Sequence, residues 1–204
     1  MTAGENLTEQ MDHDAFAKFV GEFKEETDRA AVILAAAKLD VLLYQLFRKV
    51  LVPIPVPQDE LLDQDRPLSS FGAKINLCHR LGLIDAEFAQ ALHMIRKIRN
   101  EFAHELANSK LSEGPHRDRV RTLVMPFGRV RNFFDELIRG FFKGLPSGPS
   151  TEFRMVVCIM AVRLEALLIR ATLVKSSIET VQLIDSEWIS SPTQSQSALE
   201  KKEK

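Results

Sequence analysis

The run Ile98-Arg99-Asn100-Glu101-Phe102-Ala103-His104 gathers a guanidinium, an amide and an imidazole within six residues, a concentration of chemistry found nowhere else in the chain. An imidazole that exchanges protons near neutral pH, beside a cation that stabilises a phosphorane-like anion, suits the cleavage of RNA through its own 2′-hydroxyl, which needs neither metal nor cofactor. The same residue types also serve a helix C-terminus, where a base answers the dipole and a partly buried imidazole bonds a carbonyl. Asn100 and His104, four apart, share a helix face. Arg99 and His104 stand five apart, about 140° around an ideal helix, so one helix aims both at one point only where it ends or unwinds. A second helix or a second subunit has to complete such a site. Asp28 and Asp40 are the carboxylates that could orient His104 from a facing helix; their plainer roles are a helix cap and an arginine partner.

The remaining basic residues offer a second chemistry. Between Arg96 and Arg131 the chain holds nine Lys and Arg against four acids, whereas its first 28 residues hold eight acids and two lysines. Arg96, Arg117, Arg119, Arg121, Arg129 and Arg131 are candidate phosphate contacts, or else a solvated face that offsets the acidic N-terminus. His79 and His93 stand alone in helical patterns and His116 is expected in a loop. A metal site would have to be assembled from distant parts, and none is expected.

The elements that position these groups are helical. Apolar residues recur at helical spacing in Asp14 to Glu26, Ala30 to Val50, Ala86 to about Leu106 and Ser150 to about Val181, with almost no strand-like alternation. Thr27 or Asp28 can cap the second of these, where Ala35-Ala36-Ala37 permits close approach of another helix. Pro53, Pro55 and Pro57 end it, and a long connection leads to a short helix that Ser69 or Ser70 caps and Gly82 stops. Asp85 caps the helix that carries Arg99. Arg117 to Met125 and Pro126 to Lys143 read as one short and one long helix, with Pro126 in a first turn. Phe133, Phe134, Phe141 and Phe142 form an apolar cluster that can serve core or subunit interface. The expected fold is an all-α bundle of about six helices, one domain over residues 1–185 followed by a disordered polar tail at 186–204.

With 204 residues, 45% of them hydrophobic, the chain can bury one sizeable core. The net charge of −1 provides no global field for nucleic acid or anionic lipid. Cys78 and Cys158 lie far apart in apolar patterns, as buried thiols do in a reducing compartment. The N-terminus has neither a basic flank nor an apolar run, and Phe153 to Val174, the longest apolar candidate, is broken by Arg154, Arg163, Glu165 and Arg170. The chain is expected to be cytoplasmic and to avoid membranes. The helices meeting at Gly82 suggest a helix-turn-helix, but the second opens with Asp85 and Glu87, which would repel phosphate in the groove.

Two resemblances add to this. Arg99-Asn100-x-x-x-His104 near the end of a bundle helix resembles the Arg-x4-6-His motif of HEPN domains, many of which are metal-independent ribonucleases acting as dimers. A longer pattern, Leu61-Leu62-Asp63-x-Asp65-x-Pro67-Leu68, Ala73-Lys74-Ile75-x-Leu77 and Leu81-Gly82-Leu83-Ile84, with Asp28-Arg29 and Leu39-Asp40 upstream, is similar to the mannitol operon repressor family. It spans roughly residues 26 to 106. That resemblance implies a helical transcriptional regulator that assembles into dimers or larger forms and works without an obvious helix-turn-helix. The partners implied are a second copy of the chain, a protein partner such as an antitoxin, and nucleic acid.

Overall fold

The computed structural model describes residues 13–54, 58–105 and 109–175. All regular structure among them is helical: α1 (His13–Glu25), α2 (Asp28–Val50), α3 (Phe71–Arg80), α4 (Ala86–His104), α5 (Gly114–Val124), a 3-10 helix (Met125–Val130), α6 (Arg131–Phe141) and α7 (Pro149–Arg170). Residues up to Leu173 form one compact unit, and from Val174 the chain belongs to a second, of which 174–175 are described. The expected boundary at residue 185 and the tail beyond it lie outside the described residues.

Three helix starts, those of α2, α3 and α4, follow local chemistry. Thr27 Oγ1 accepts the Ala30 N–H at 3.3 Å, Ser70 Oγ the Ala73 N–H at 3.2 Å and Asp85 Oδ1 the Phe88 N–H at 2.8 Å, each answering a donor that the first turn leaves unpaired. Asp28 is therefore freed from capping. Gly82 reverses the chain between α3 and α4 with φ 70°, a left-handed conformation that a side chain would strain. The connection before α3 is ordered by Asp59 and Asp63. Asp59 Oδ1 accepts from the N–H groups of Leu61 and Leu62, Asp63 Oδ2 accepts from Asp59 N–H, and Leu62 is buried.

Two boundaries differ from expectation. The stretch after α5 is not one long helix from Pro126: Pro126 donates no N–H and Gly128 favours no helix, so a 3-10 turn intervenes and α6 starts at Arg131. Helix α7 ends at Arg170, with Ala171 extended, although neither proline nor glycine stops it. Lys49 Nζ at the end of α2 donates to the carbonyls of Leu168 (2.7 Å) and Ile169 (3.1 Å), satisfying acceptors the last turn leaves open.

The core lies where α2, α4 and α7 meet. Leu39, Leu43 and Phe47 of α2, Leu92, Ile95, Ile98 and Phe102 of α4, and Phe153, Val157 and Ala161 of α7 are fully enclosed. Each large side chain of this set contributes about 1.5–3 kcal/mol of burial free energy. Ala35 and Ala36 are buried as the close approach requires, but Ala37 faces outward. It is α2, rather than the 153–174 stretch, that is long and apolar enough to cross a membrane, and half of that window is buried in the bundle. Of the phenylalanine cluster, Phe134 and Phe142 are core, while Phe133 and Phe141 are exposed.

Candidate functional site

Helix α4 stays helical through His104, with Glu105 as an extended C-cap, and it presents two chemically different faces at this end. On the outer face Arg99 is exposed and its Nη1 donates to Asn100 Oδ1 at 3.0 Å. The long guanidinium arm thus swings toward the Asn100 side, partly closing the 140° gap that the helical wheel imposes on Arg99 and His104. His104 is exposed and makes no hydrogen bond or ion pair among the described residues. Neither Arg99 nor His104 fastens a helix end.

The inner face is a clasp that the spacing of Glu101 and Glu105, one helical turn apart, could have signalled. His116 is not in a loop: it sits in the first turns of α5, 6% exposed, with its ring 4.5 Å from that of Phe102. Its Nε2 lies 3.2 Å from both carboxylate oxygens of Glu105, and its Nδ1 lies 3.6 Å from Glu101 Oε2. The guanidinium of Arg119 pairs with Glu101, Ser109 Oγ donates to Glu105, and Arg29 of α2 donates to the Glu105 carbonyl. These bonds hold the Glu105 carboxyl below its usual range, the Ser109 hydroxyl first and the His116 ring second.

Glu101, Glu105 and His116 offer three ligand atoms within 4.8 Å of one another. The ring, however, turns its two nitrogens toward two different carboxylates, and a guanidinium already neutralises one of them. A metal ligand set would aim at a single point. The arrangement is an ion-pair clasp that anchors the α4 terminus and leaves Arg99, Asn100 and His104 facing outward.

The two aspartates expected to orient His104 are committed elsewhere. Asp28 Oδ2 accepts from Leu111 N–H and Ser150 Oγ, both at 2.8 Å, and its Oδ1 lies 3.2 Å from Arg154 Nη1. Asp40 pairs at 2.9 Å with the buried Lys74, not with an arginine. Lys74, Leu62, Asp63 and Leu68 thus build the connection and its attachment to α2.

The six candidate phosphate-binding arginines do not form one stripe. Arg119 is in the clasp, Arg131 pairs with Asp135 (3.0 Å) and Glu152 (2.8 Å), and Arg117 and Arg121 flank Asp118 at 3.7 and 3.6 Å. Arg96 lies over Gly72, where an added Cβ would meet its guanidinium carbon at 3.5 Å. Arg129 is exposed on the 3-10 helix. Sequence reasoning also missed a cavity of about 410 Å³ between α4, the end of α5, the 3-10 helix and α7, lined by Phe88, Met94, Leu123, Phe127, Met160 and Arg163 among others. No family model, no curated protein and no solved structure matches this chain.

Proposed function

We propose that the protein is a cytoplasmic regulator of the mannitol-operon-repressor type, one that binds nucleic acid through the Arg99–Asn100–His104 face of α4. The observation carrying this reading is the division of labour at that terminus: every carboxylate nearby is locked into the clasp, while a guanidinium, an amide and an imidazole face solvent with no structural task. Arginine and asparagine are suited to phosphates and base edges, and a histidine adds a donor. General acid–base catalysis asks for more, because a proton-transferring imidazole is normally oriented by a second group, and His104 has none among the described residues.

The exposed His104 favours a second reading, a HEPN-like metal-independent endoribonuclease that acts as a dimer. There one His104 would take the proton from the 2′-oxygen, that oxygen would attack phosphorus, and the His104 of the partner subunit would protonate the departing 5′-oxygen. The products are a 2′,3′-cyclic phosphate and a 5′-hydroxyl.

One experiment separates the two. Total cellular RNA and sheared genomic DNA are incubated with the parent, Arg99→Ala and His104→Ala proteins in EDTA, then assayed for retention on a filter and for cyclic phosphate ends. Retention by the parent, lost in Arg99→Ala with RNA intact, supports the regulator. Cyclic ends that vanish with His104→Ala transfer the site to the ribonuclease reading, and neither retention nor cleavage overturns both.

A further inference from the structure

The cavity beside α4 has one charged end and an apolar interior. Asp85, Phe88 and Arg163 line it and also line a second hollow of about 250 Å³ that continues along α7 to Arg170. These three residues therefore stand where the two spaces meet, and Glu87 adjoins them in the first turn of α4. Apart from Gln90 and Thr122, the rest of the wall is apolar. Leu123 and Met160 are buried, and Phe127 is held by Phe134, with ring centroids 4.9 Å apart. The charges at the other end have no internal task. Neither Glu87 nor Arg163 makes a hydrogen bond or ion pair among the described residues, and Asp85 uses only Oδ1, in its cap. Acid and base thus border one apolar cavity without neutralising each other.

We propose that this cavity binds a free amino acid with a large apolar side chain. Its carboxylate lies on Arg163, its ammonium on Glu87 and Asp85, and its side chain among Met94, Leu123, Phe127 and Met160. Charge complementarity selects this class. A ligand with a carboxylate alone would bring it beside two acids, and one with an ammonium alone would bring it beside a guanidinium. A zwitterion satisfies both poles, and the planar guanidinium fork matches a carboxylate bidentately. The volume of about 410 Å³ lies within the roughly 300–1,000 Å³ of small-molecule sites. Three of the chain's six methionines, Met94, Met125 and Met160, line the cavity, and their unbranched thioethers adapt to an aromatic or a branched aliphatic side chain.

Glu87 and Arg163 are exposed, so solvent screens them: apolar burial supplies most of the affinity and the charges choose the ligand. The cavity uses the first half of α4, up to Met94, whereas Arg99, Asn100 and His104 occupy its last turns. The inference is therefore independent of what that outward face binds.

Isothermal titration of the full chain with L-tryptophan, up to about 5 mM, tests it, since a dissociation constant of about 1 mM or tighter is measurable there. Indole-3-propionate, which lacks the ammonium, and tryptamine, which lacks the carboxylate, should each bind at least about tenfold more weakly, the scale of one lost charge-assisted hydrogen bond. Arg163→Gln and Glu87→Gln should each weaken L-tryptophan about tenfold while leaving the melting temperature unchanged. Ala91→Phe, which fills the cavity, should abolish binding. Failure of L-tryptophan, L-phenylalanine, L-methionine and L-leucine alike to bind overturns the inference. So does either analogue binding as tightly as L-tryptophan, or an affinity unmoved by Arg163→Gln, which would put the ligand elsewhere.

Discussion

Arg154 in α7 and Asp28 at the start of α2 meet across 126 residues of sequence, with Nη1 3.2 Å from Oδ1. Arg154 is 4% exposed and makes three further bonds, to the carbonyls of Phe23 (3.2 Å), Glu26 (2.7 Å) and Ser150 (2.9 Å). One guanidinium therefore joins the end of α1, the α1–α2 junction and the first turn of α7. Asp28→Ala leaves that cation without its carboxylate and also removes the acceptor for Leu111 and Ser150. We expect a loss of about 3 kcal/mol in urea unfolding, the scale for breaking a buried pair by removing one partner. A loss below about 1 kcal/mol would mean that solvent replaces the carboxylate.

The Asp40–Lys74 pair should respond asymmetrically. Asp40→Ala leaves an ammonium that is 5% exposed with the Ser69 carbonyl, at 3.1 Å, but without its counter-charge, and costs about 2–3 kcal/mol. Lys74→Met retains the side-chain volume and leaves an aspartate that is one-third exposed, so it should cost less than about 1 kcal/mol. Paired denaturation curves measure both, and equal losses would contradict the buried placement of Lys74.

Acid should loosen the clasp through Glu105. Its folded pKa lies below the unfolded one, so its contribution to stability is fully present above the ordinary carboxylate range and is lost as pH falls through the depressed value. Urea midpoints measured between about pH 3 and pH 7 should decline at the acid end. Glu105→Gln flattens the decline, and Ser109→Ala, which removes the largest cause of the shift, reduces it in part. An undiminished acid slope in Glu105→Gln would assign the effect to other carboxylates.

Burial pushes both thiols, Cys78 and Cys158, up to about 12. Native protein at pH 8 should leave a chromogenic disulfide reagent almost untouched, and both cysteines should react once urea unfolds the chain. A rapidly reacting thiol in the native state would place one of them at the surface.

Arg99→Ala and His104→Ala should each change stability by less than about 0.5 kcal/mol, the usual range for exposed positions without structural partners. Thermal denaturation checks this independently of any binding assay. A large drop in either variant would return these residues to helix-end fastening.

The sequence alone determined the helices and most of their ends, because period and caps are local. The apolar spacing of Leu92, Ile95, Ile98 and Phe102 gives α4 its buried side, and Thr27, Ser70, Asp85 and Gly82 mark boundaries through bonds and dihedrals within a few residues. It also singled out Arg99, Asn100 and His104 as a group. Tertiary structure decided which of the charged residues remain available, since that depends on partners tens of residues away. His104 and His116 are the same residue type only twelve positions apart, yet α5 folds back so that His116 is enclosed by Glu101 and Glu105 while His104 stays in solvent. Asp28 went to Arg154, Asp40 to Lys74 and Arg119 to Glu101 for the same reason. The end of α7, set by a lysine 119 residues upstream in α2, is equally a product of packing, which no local signal encodes.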